Sequence, residues 1–447
     1  MTGSVFDSAL YARLFPTGDV GRLFTDSAEI RAMLLVEGTL AKVQGDRRVI
    51  PSDSAAAISR AVMEIQIDPG ALATATGING VSVPALVAAF RTEMQAPEHA
   101  QYVHWGATSQ DIIDTGLMLR LRQALVLIET DLVTILRCLG EMATGHAELP
   151  MAARTYGQHA TPTSFGAVAA GWGAPLLALL RDLPGLRDTC LLVSLSGAAG
   201  TAAELGPDAP QIRADLARAL TLKDPNRNWH TDRTPLLRVA DWLTRLTLML
   251  GKLGEDVTLM SQSDIGEIRL GGAGASSTMP QKQNPVGPSV LVAVARQTTG
   301  QMAVLQSAAM PRSQRDGAAW FTEWMCLPQI VLGAATTVQT AAALCATLRP
   351  DPDRMMQTLT GDLGLIHAEA LSFALAAHMP RPDAQAAVKA LCIDARTTRT
   401  PLAEQVARDH PQLDVGHLFD PAQQMGQAPT DARRFGADVA AYLSDEP

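Results

Sequence analysis

Apolar positions along this chain recur at helical spacing in long blocks, and strict alternation of apolar with polar residues is scarce. Between residues 25 and 105 the blocks are short: Thr25-Asp26-Ser27 supplies a cap ahead of Glu29, Leu34, Leu35 and Leu40, and Pro51-Ser52-Asp53 opens a second helix. Gly77 to Gly80 and Pro97 predict breaks. Behind the capping types Thr108, Ser109 and Asp111, the run Ile112 to Ile128 is long and mostly apolar. Arg154 to Thr163 predicts a loop entering an apolar helix, with Pro162 near its first turn. Leu236 to Met260 and Val286 to Gln306 are further long helical patterns, and Pro350 to Pro352 predicts a hinge before a smaller helical tail. The pattern predicts an all-α chain, with His410 and His417 of the tail as isolated surface residues.

Composition sharpens this picture. Apolar residues make up 47% of the 447 positions but aromatics only 4%, which leaves Ala and Leu to fill the interior and favours close-packed helices. Long, weakly charged helices need partners on most faces, from a second copy where one chain does not supply them. A net charge of −9 without a run of five like charges argues against a nucleic-acid surface, so an anionic ligand must meet a local cluster of Arg and Lys. Cys138, Cys190, Cys326, Cys345 and Cys392 show no metal or redox spacing and read as buried reduced thiols of a cytoplasmic protein. No signal peptide is read in the first twenty residues, and the apolar stretches 165–180 and 330–348, broken by Gly, Pro, Thr and Gln, read as buried helices and not as membrane spans.

Candidate chemistry concentrates in Gly271 to Pro288, GGAGASSTMPQKQNPVGP. Its composition is that of a surface loop, yet Ser276-Ser277, Met279-Pro280, Lys282 and Asn284-Pro285 fall within ten residues, and Lys282 is one of five lysines against 31 arginines. A glycine-rich approach to adjacent hydroxyls suits a lid that covers a reaction in which negative charge develops. The start of the helix after His104 offers hydroxyls and free N–H groups to an anion, or Thr108 and Ser109 merely cap it. Asp111 there would repel an anion, so it orients a neighbouring side chain or completes the cap. Gly197 to Gly206 lacks the Lys and spacing of a phosphate loop and reads as a tight turn between packed helices. His230, Arg233 and Arg315 lie in polar stretches at the ends of helical runs and read as solvated or capping residues.

SSTMPQKQNP resembles the signature loop of the fumarase/aspartase superfamily, roughly SSxMPxKxNP, whose members make or break a C–N or C–O bond beta to a carboxylate. The resemblance implies that Ser276 is a catalytic base on a mobile loop and that Lys282 and Asn284 hold a substrate carboxylate. YVHWGATSQDIIDT is similar to the first conserved region, which gives Thr108 and Ser109 a carboxylate and places His104 in the pocket. RTYGQHATP resembles the second region, but Tyr156 stands where a catalytic histidine is usual and Ser289 where its glutamate partner is usual. Both halves of that dyad are missing together, which rules against simple transfer of the fumarase or adenylosuccinate lyase mechanism. An aromatic residue at 156 with Gln158 and His159 following is similar to the bacterial 3-carboxy-cis,cis-muconate cycloisomerases, although Gln281 and Gln283 replace a usual His and Arg. By the same resemblance Arg315, in the QRD segment before Trp320, contacts a carboxylate.

The resemblance implies a three-domain fumarase/aspartase-like fold with a long central helical bundle, divided at 1–105, 106–349 and 350–447. The implied assembly is a homotetramer whose active sites draw on three subunits. The implied activity is cycloisomerisation of a small polycarboxylate without cofactor or metal, with Ser276 or His159 handling the proton. A fumarate-releasing lyase, a cycloisomerase of a substituted muconate such as 3-sulfomuconate, and a non-catalytic scaffold are the alternatives.

Overall fold

A computed structural model of the chain describes residues 3–271, 274–275, 279 and 282–444. It is all-α, as the hydrophobic spacing predicts. Five helices exceed twenty residues after position 105: Ser109–Gly145, Phe165–Cys190, Thr234–Met260, Val286–Ser307 and Gly317–Thr347. Strands among the described residues are short and occur in three two-stranded antiparallel pairs. The described residues group into two compact units, one of residues 1–131, 179–248 and 293–339, the other of 132–178, 249–292 and 340–447.

In the first unit, Thr25 accepts the Ala28 N–H at 3.3 Å and caps the helix Asp26–Asp46, as its position before the apolar run predicts. That helix lies close to Ser52–Glu64: a Cβ at Gly45 would come within 2.3 Å of the Ala55 methyl. Gly80, at φ +70°, ends the helix Pro69–Asn79 in the left-handed conformation, so the predicted break is a glycine C-cap. Deeper in the unit, Thr247 and Thr298 share a hydroxyl hydrogen bond of 2.7 Å between two long helices, and the Trp242 indole N–H donates to the Leu179 carbonyl at 2.9 Å. Leucine, alanine and valine are the commonest buried apolar residues of the described chain.

The second unit shows the same dependence on small residues. A Cβ at Gly254 would sit 2.7 Å from the Pro288 carbonyl oxygen, so the helix backbones approach as only glycine allows. The carboxy-terminal tail carries a core of its own, with Leu371, Leu375, Ala384, Val388, Leu402, Val406 and Leu418 clustered together. The predicted hinge at 350–352 is pinned instead: Leu348–Pro350 pairs with Ile268–Leu270, and Asp351 accepts from Arg269 at 2.6 Å while capping the next helix at the Arg354 N–H. All five cysteines are free; Cys190, Cys326 and Cys345 are buried, whereas Cys138 and Cys392 are partly exposed, contrary to the expectation for the set.

Four of the five long helices, all but Phe165–Cys190, also leave large apolar side chains in the open, among them Val126, Leu248, Leu259, Val304 and Met325. The window of Gly317–Thr347 that is apolar enough to cross a membrane by composition is 67% buried inside the protein.

Candidate active site

The helix Ser109–Gly145 starts with Thr108 at its cap, and Asp111 reaches back to accept the Thr108 N–H at 3.0 Å, which is the return arm of a capping box. Asp111 is fully buried, and its carboxylate does more than cap. The Oδ1 atom accepts from the Ser196 N–H at 2.8 Å, the Ser194 hydroxyl at 3.1 Å and His230 Nε2 at 2.8 Å; Oδ2 accepts from the Gly197 N–H at 2.9 Å. Five donors therefore converge on one buried carboxylate and satisfy its oxygens in place of water. The turn at Gly197 (φ +71°) presses on Gly106 (φ +72°), where an added Cβ would come 2.6 Å from Leu205, so both glycines are required by conformation and space together.

Arg315 lies on this helix start. Its Nε donates to Gln110 Oε1 at 3.1 Å, and its Nη2 donates to Thr108 Oγ1 at 3.3 Å and to the Ala198 carbonyl at 3.2 Å. All three acceptors are neutral. The adjacent Asp316 is taken by Arg312, with bonds of 2.7 and 3.1 Å that hold its carboxyl well below the usual carboxylate range. Among the described residues Arg315 has no carboxylate partner, so its charge is available to a ligand, in company with the N-terminal end of a 37-residue helix.

Arg233 is the opposite case. It is bidentate to Asp114 at 2.8 and 3.0 Å and to Glu323 at 2.7 and 2.8 Å, all three buried, and lies 5.1 Å from the Trp229 ring. Burial alone would lower its pKa, but the two carboxylates outweigh burial and raise it. His230 and Arg233, expected as solvated or capping residues, are thus buried partners of acids more than ninety positions away or close to it, Asp111 and Asp114 on one side and Glu323 on the other. The signal for this was present: two aspartates inside an apolar helical run must find donors if the run is buried.

His104 takes φ +65° and its Nδ1 donates at 2.6 Å to the buried Glu37 carboxylate. Burial pushes its pKa down, the Glu37 charge and hydrogen bond push it up, and the net shift is upward. Glu37 was not among the sequence candidates. Ser109 and Thr108 are half-buried at the same helix start.

In the second unit, the segment expected as a loop entering a helix is an antiparallel hairpin, Pro150–Thr155 with Gln158–Ser164, and Pro162 lies in its second strand. Tyr156 and Gly157 form the two-residue turn, at φ +53° and +74°, with the Tyr156 ring fully exposed. Gln158 and His159 are exposed just beyond it, and His159 is paired in register with Arg154. Arg154 is bidentate to the buried Glu267 at 2.8 Å for each bond. His159 and Arg154 line a cavity of about 550 Å³ with Arg354, Gln357 and Thr358. Lys282 is exposed, and Asn284 is paired with Gly274 in a two-residue ladder at the base of the signature segment. Ser276, Ser277 and Gln281 lie outside the described residues. The structure thus brings Thr108, Ser109, Gln110 and Arg315 together in one unit, while Gln158, His159, Lys282 and Asn284 belong to the other. No group of three or more His, Cys, Asp and Glu among the described residues is placed to hold a metal.

A family model described as Lyase matches residues 22–300. The chain is 37% identical over 431 residues to a 3-carboxy-cis,cis-muconate cycloisomerase of Pseudomonas aeruginosa, covering 94% of each chain. It is 34% identical to a nitrosuccinate lyase of Streptomyces davaonensis, over 95% of this chain and 94% of the other. Among solved structures, the 3-carboxy-cis,cis-muconate lactonizing enzyme of Pseudomonas putida superposes with a TM-score of 0.92 at 33% identity, covering 98% of this chain and all of the other.

Proposed function

Because the chain belongs to the lyase family of the fumarase/aspartase superfamily, we propose that it interconverts 3-carboxy-cis,cis-muconate and 4-carboxymuconolactone. The observation that carries this is end-to-end similarity to cycloisomerases, 37% identity over 94% of both chains, together with a free Arg315 charge at a helix start suited to a polyanion.

In the reaction one carboxylate of the diene triacid adds through oxygen to a double bond of the same molecule, and the carbon alpha to another carboxylate gains a proton. No atom leaves. Between these events the second carboxylate carries the extra electron pair, so the barrier falls where fixed positive charge and N–H dipoles meet it. Arg315, Thr108 and Ser109 are suited to that carboxylate, and Lys282 and Asn284 to another; His104 and Gln158 complete the binding set. Ser276 or His159 handles the proton. A homotetramer whose sites draw the 104–111, 156–162 and 276–284 segments from different subunits belongs to the same proposal, as do the division at 1–105, 106–349 and 350–447 and a cytoplasmic location.

The test is turnover of the triacid diene by purified protein without added cofactor, followed as loss of its ultraviolet absorbance. Side-by-side assays on 3-sulfomuconate, nitrosuccinate and adenylosuccinate establish which leaving group or substituent is accepted. No absorbance loss at micromolar enzyme ends the cycloisomerase reading.

A further inference from the structure

We infer that Asp111 is the positioning residue of the carboxylate subsite: it sets Arg315 in place without touching substrate. The inference rests on the assignment of Arg315 to a substrate carboxylate. Arg315 Nη2 is held between two oxygens, Thr108 Oγ1 and the Ala198 carbonyl. Each belongs to a segment fixed by Asp111, Thr108 through its own N–H and Ala198 through the N–H of the preceding Gly197, both on Oδ2. Oδ1, meanwhile, is saturated by Ser194, Ser196 and His230, so the carboxylate cannot rotate without giving up several bonds at once.

His230 completes the device. Its Nε2 meets Asp111, its side chain is 1% exposed, and it lines the same small cavity as Arg315, Gln110 and Trp320. Gln110 closes the loop, accepting from Arg315 while donating to the His230 carbonyl at 3.0 Å. Two segments more than eighty positions apart in sequence are thereby clamped at the point where the guanidinium must aim. Arg312 contributes by sequestering Asp316, the acid next to Arg315 along the chain.

The experiment measures affinity for a saturated, unreactive tricarboxylate, propane-1,2,3-tricarboxylate, by calorimetry on the full assembled protein, alongside KM, kcat and melting temperature. Asp111→Asn is expected to weaken binding about tenfold, the scale of one misplaced charged hydrogen bond, with kcat changed less than KM. Arg315→Met weakens it as well, and the double variant loses less than the sum of the two, because Asp111 acts through Arg315 as well as through Thr108. Additive losses, or parental affinity in Asp111→Asn, overturn the inference. Should Asp111→Asn fail to fold, the His230 pair decides. His230→Ala is expected to weaken binding and His230→Gln, which restores an N–H donor toward Asp111, to recover it; a fall in melting temperature with unchanged affinity in His230→Ala, or no recovery in His230→Gln, overturns it. A parent that binds the tricarboxylate but leaves the diene unchanged sinks the cycloisomerase function and not this clamp, whereas a parent that binds no tricarboxylate sinks the clamp.

Discussion

A histidine and an arginine show how far single residues depend on their surroundings. His104 beside Glu37 titrates above its ordinary value of 6.5, the Glu37 carboxylate outweighing burial. Such a group contributes stability fully below its unfolded value and loses it as pH rises through the higher folded value. His104→Gln is therefore expected to lower the melting temperature most in mildly acidic buffer, the gap from the parent closing toward alkaline pH. Arg233 neutralises two buried carboxylates, and Arg233→Met leaves Asp114 and Glu323 facing each other; the expected loss is about 3–5 kcal/mol in denaturant unfolding. Ser276→Ala tests the proposed base, with kcat expected to fall roughly 10²–10⁴-fold while the melting temperature holds. At this scale the sequence was a partial guide. Thr108, Asp111 and Arg315 were identifiable from caps and motif matches. That His230 and Arg233 are the donors those buried aspartates need was not, because 119 positions separate each from its aspartate.

For helices and hairpins, local spacing told most of the story and failed where tertiary context intervened. The caps at Thr25 and Gly80 and the long helices after 108, 234 and 286 follow from residue types and period alone. The hairpin at 150–164 escaped notice because its strands are short, its exposed positions polar, and its turn begins with tyrosine, a residue seldom found at positive φ. Close helix approach is likewise invisible until the backbones are placed. Gly254 illustrates the balance: alanine would gain about 1 kcal/mol of helix propensity. Overlap with the Pro288 carbonyl costs about 1–3 kcal/mol, since backbone cannot move aside cheaply. Gly254→Ala is thus expected to shift the denaturant midpoint downward, and an upward shift would show that the helices separate freely.

For the whole molecule, the all-α architecture was readable from a composition poor in aromatics and from unbroken helical periodicity, whereas the grouping of distant segments into two units was not. Four of the five long helices present large apolar side chains to solvent, including Leu248 and Leu259 on one and Met325 on another. In the assembly proposed here such side chains meet their counterparts on further copies, and folding and association become linked equilibria. The temperature at which the protein melts is then no fixed property of its sequence. It should climb as the sample is concentrated and slide down on dilution, and a transition indifferent to a hundredfold dilution, about the range needed to resolve such a shift, would mean that each polypeptide stands alone.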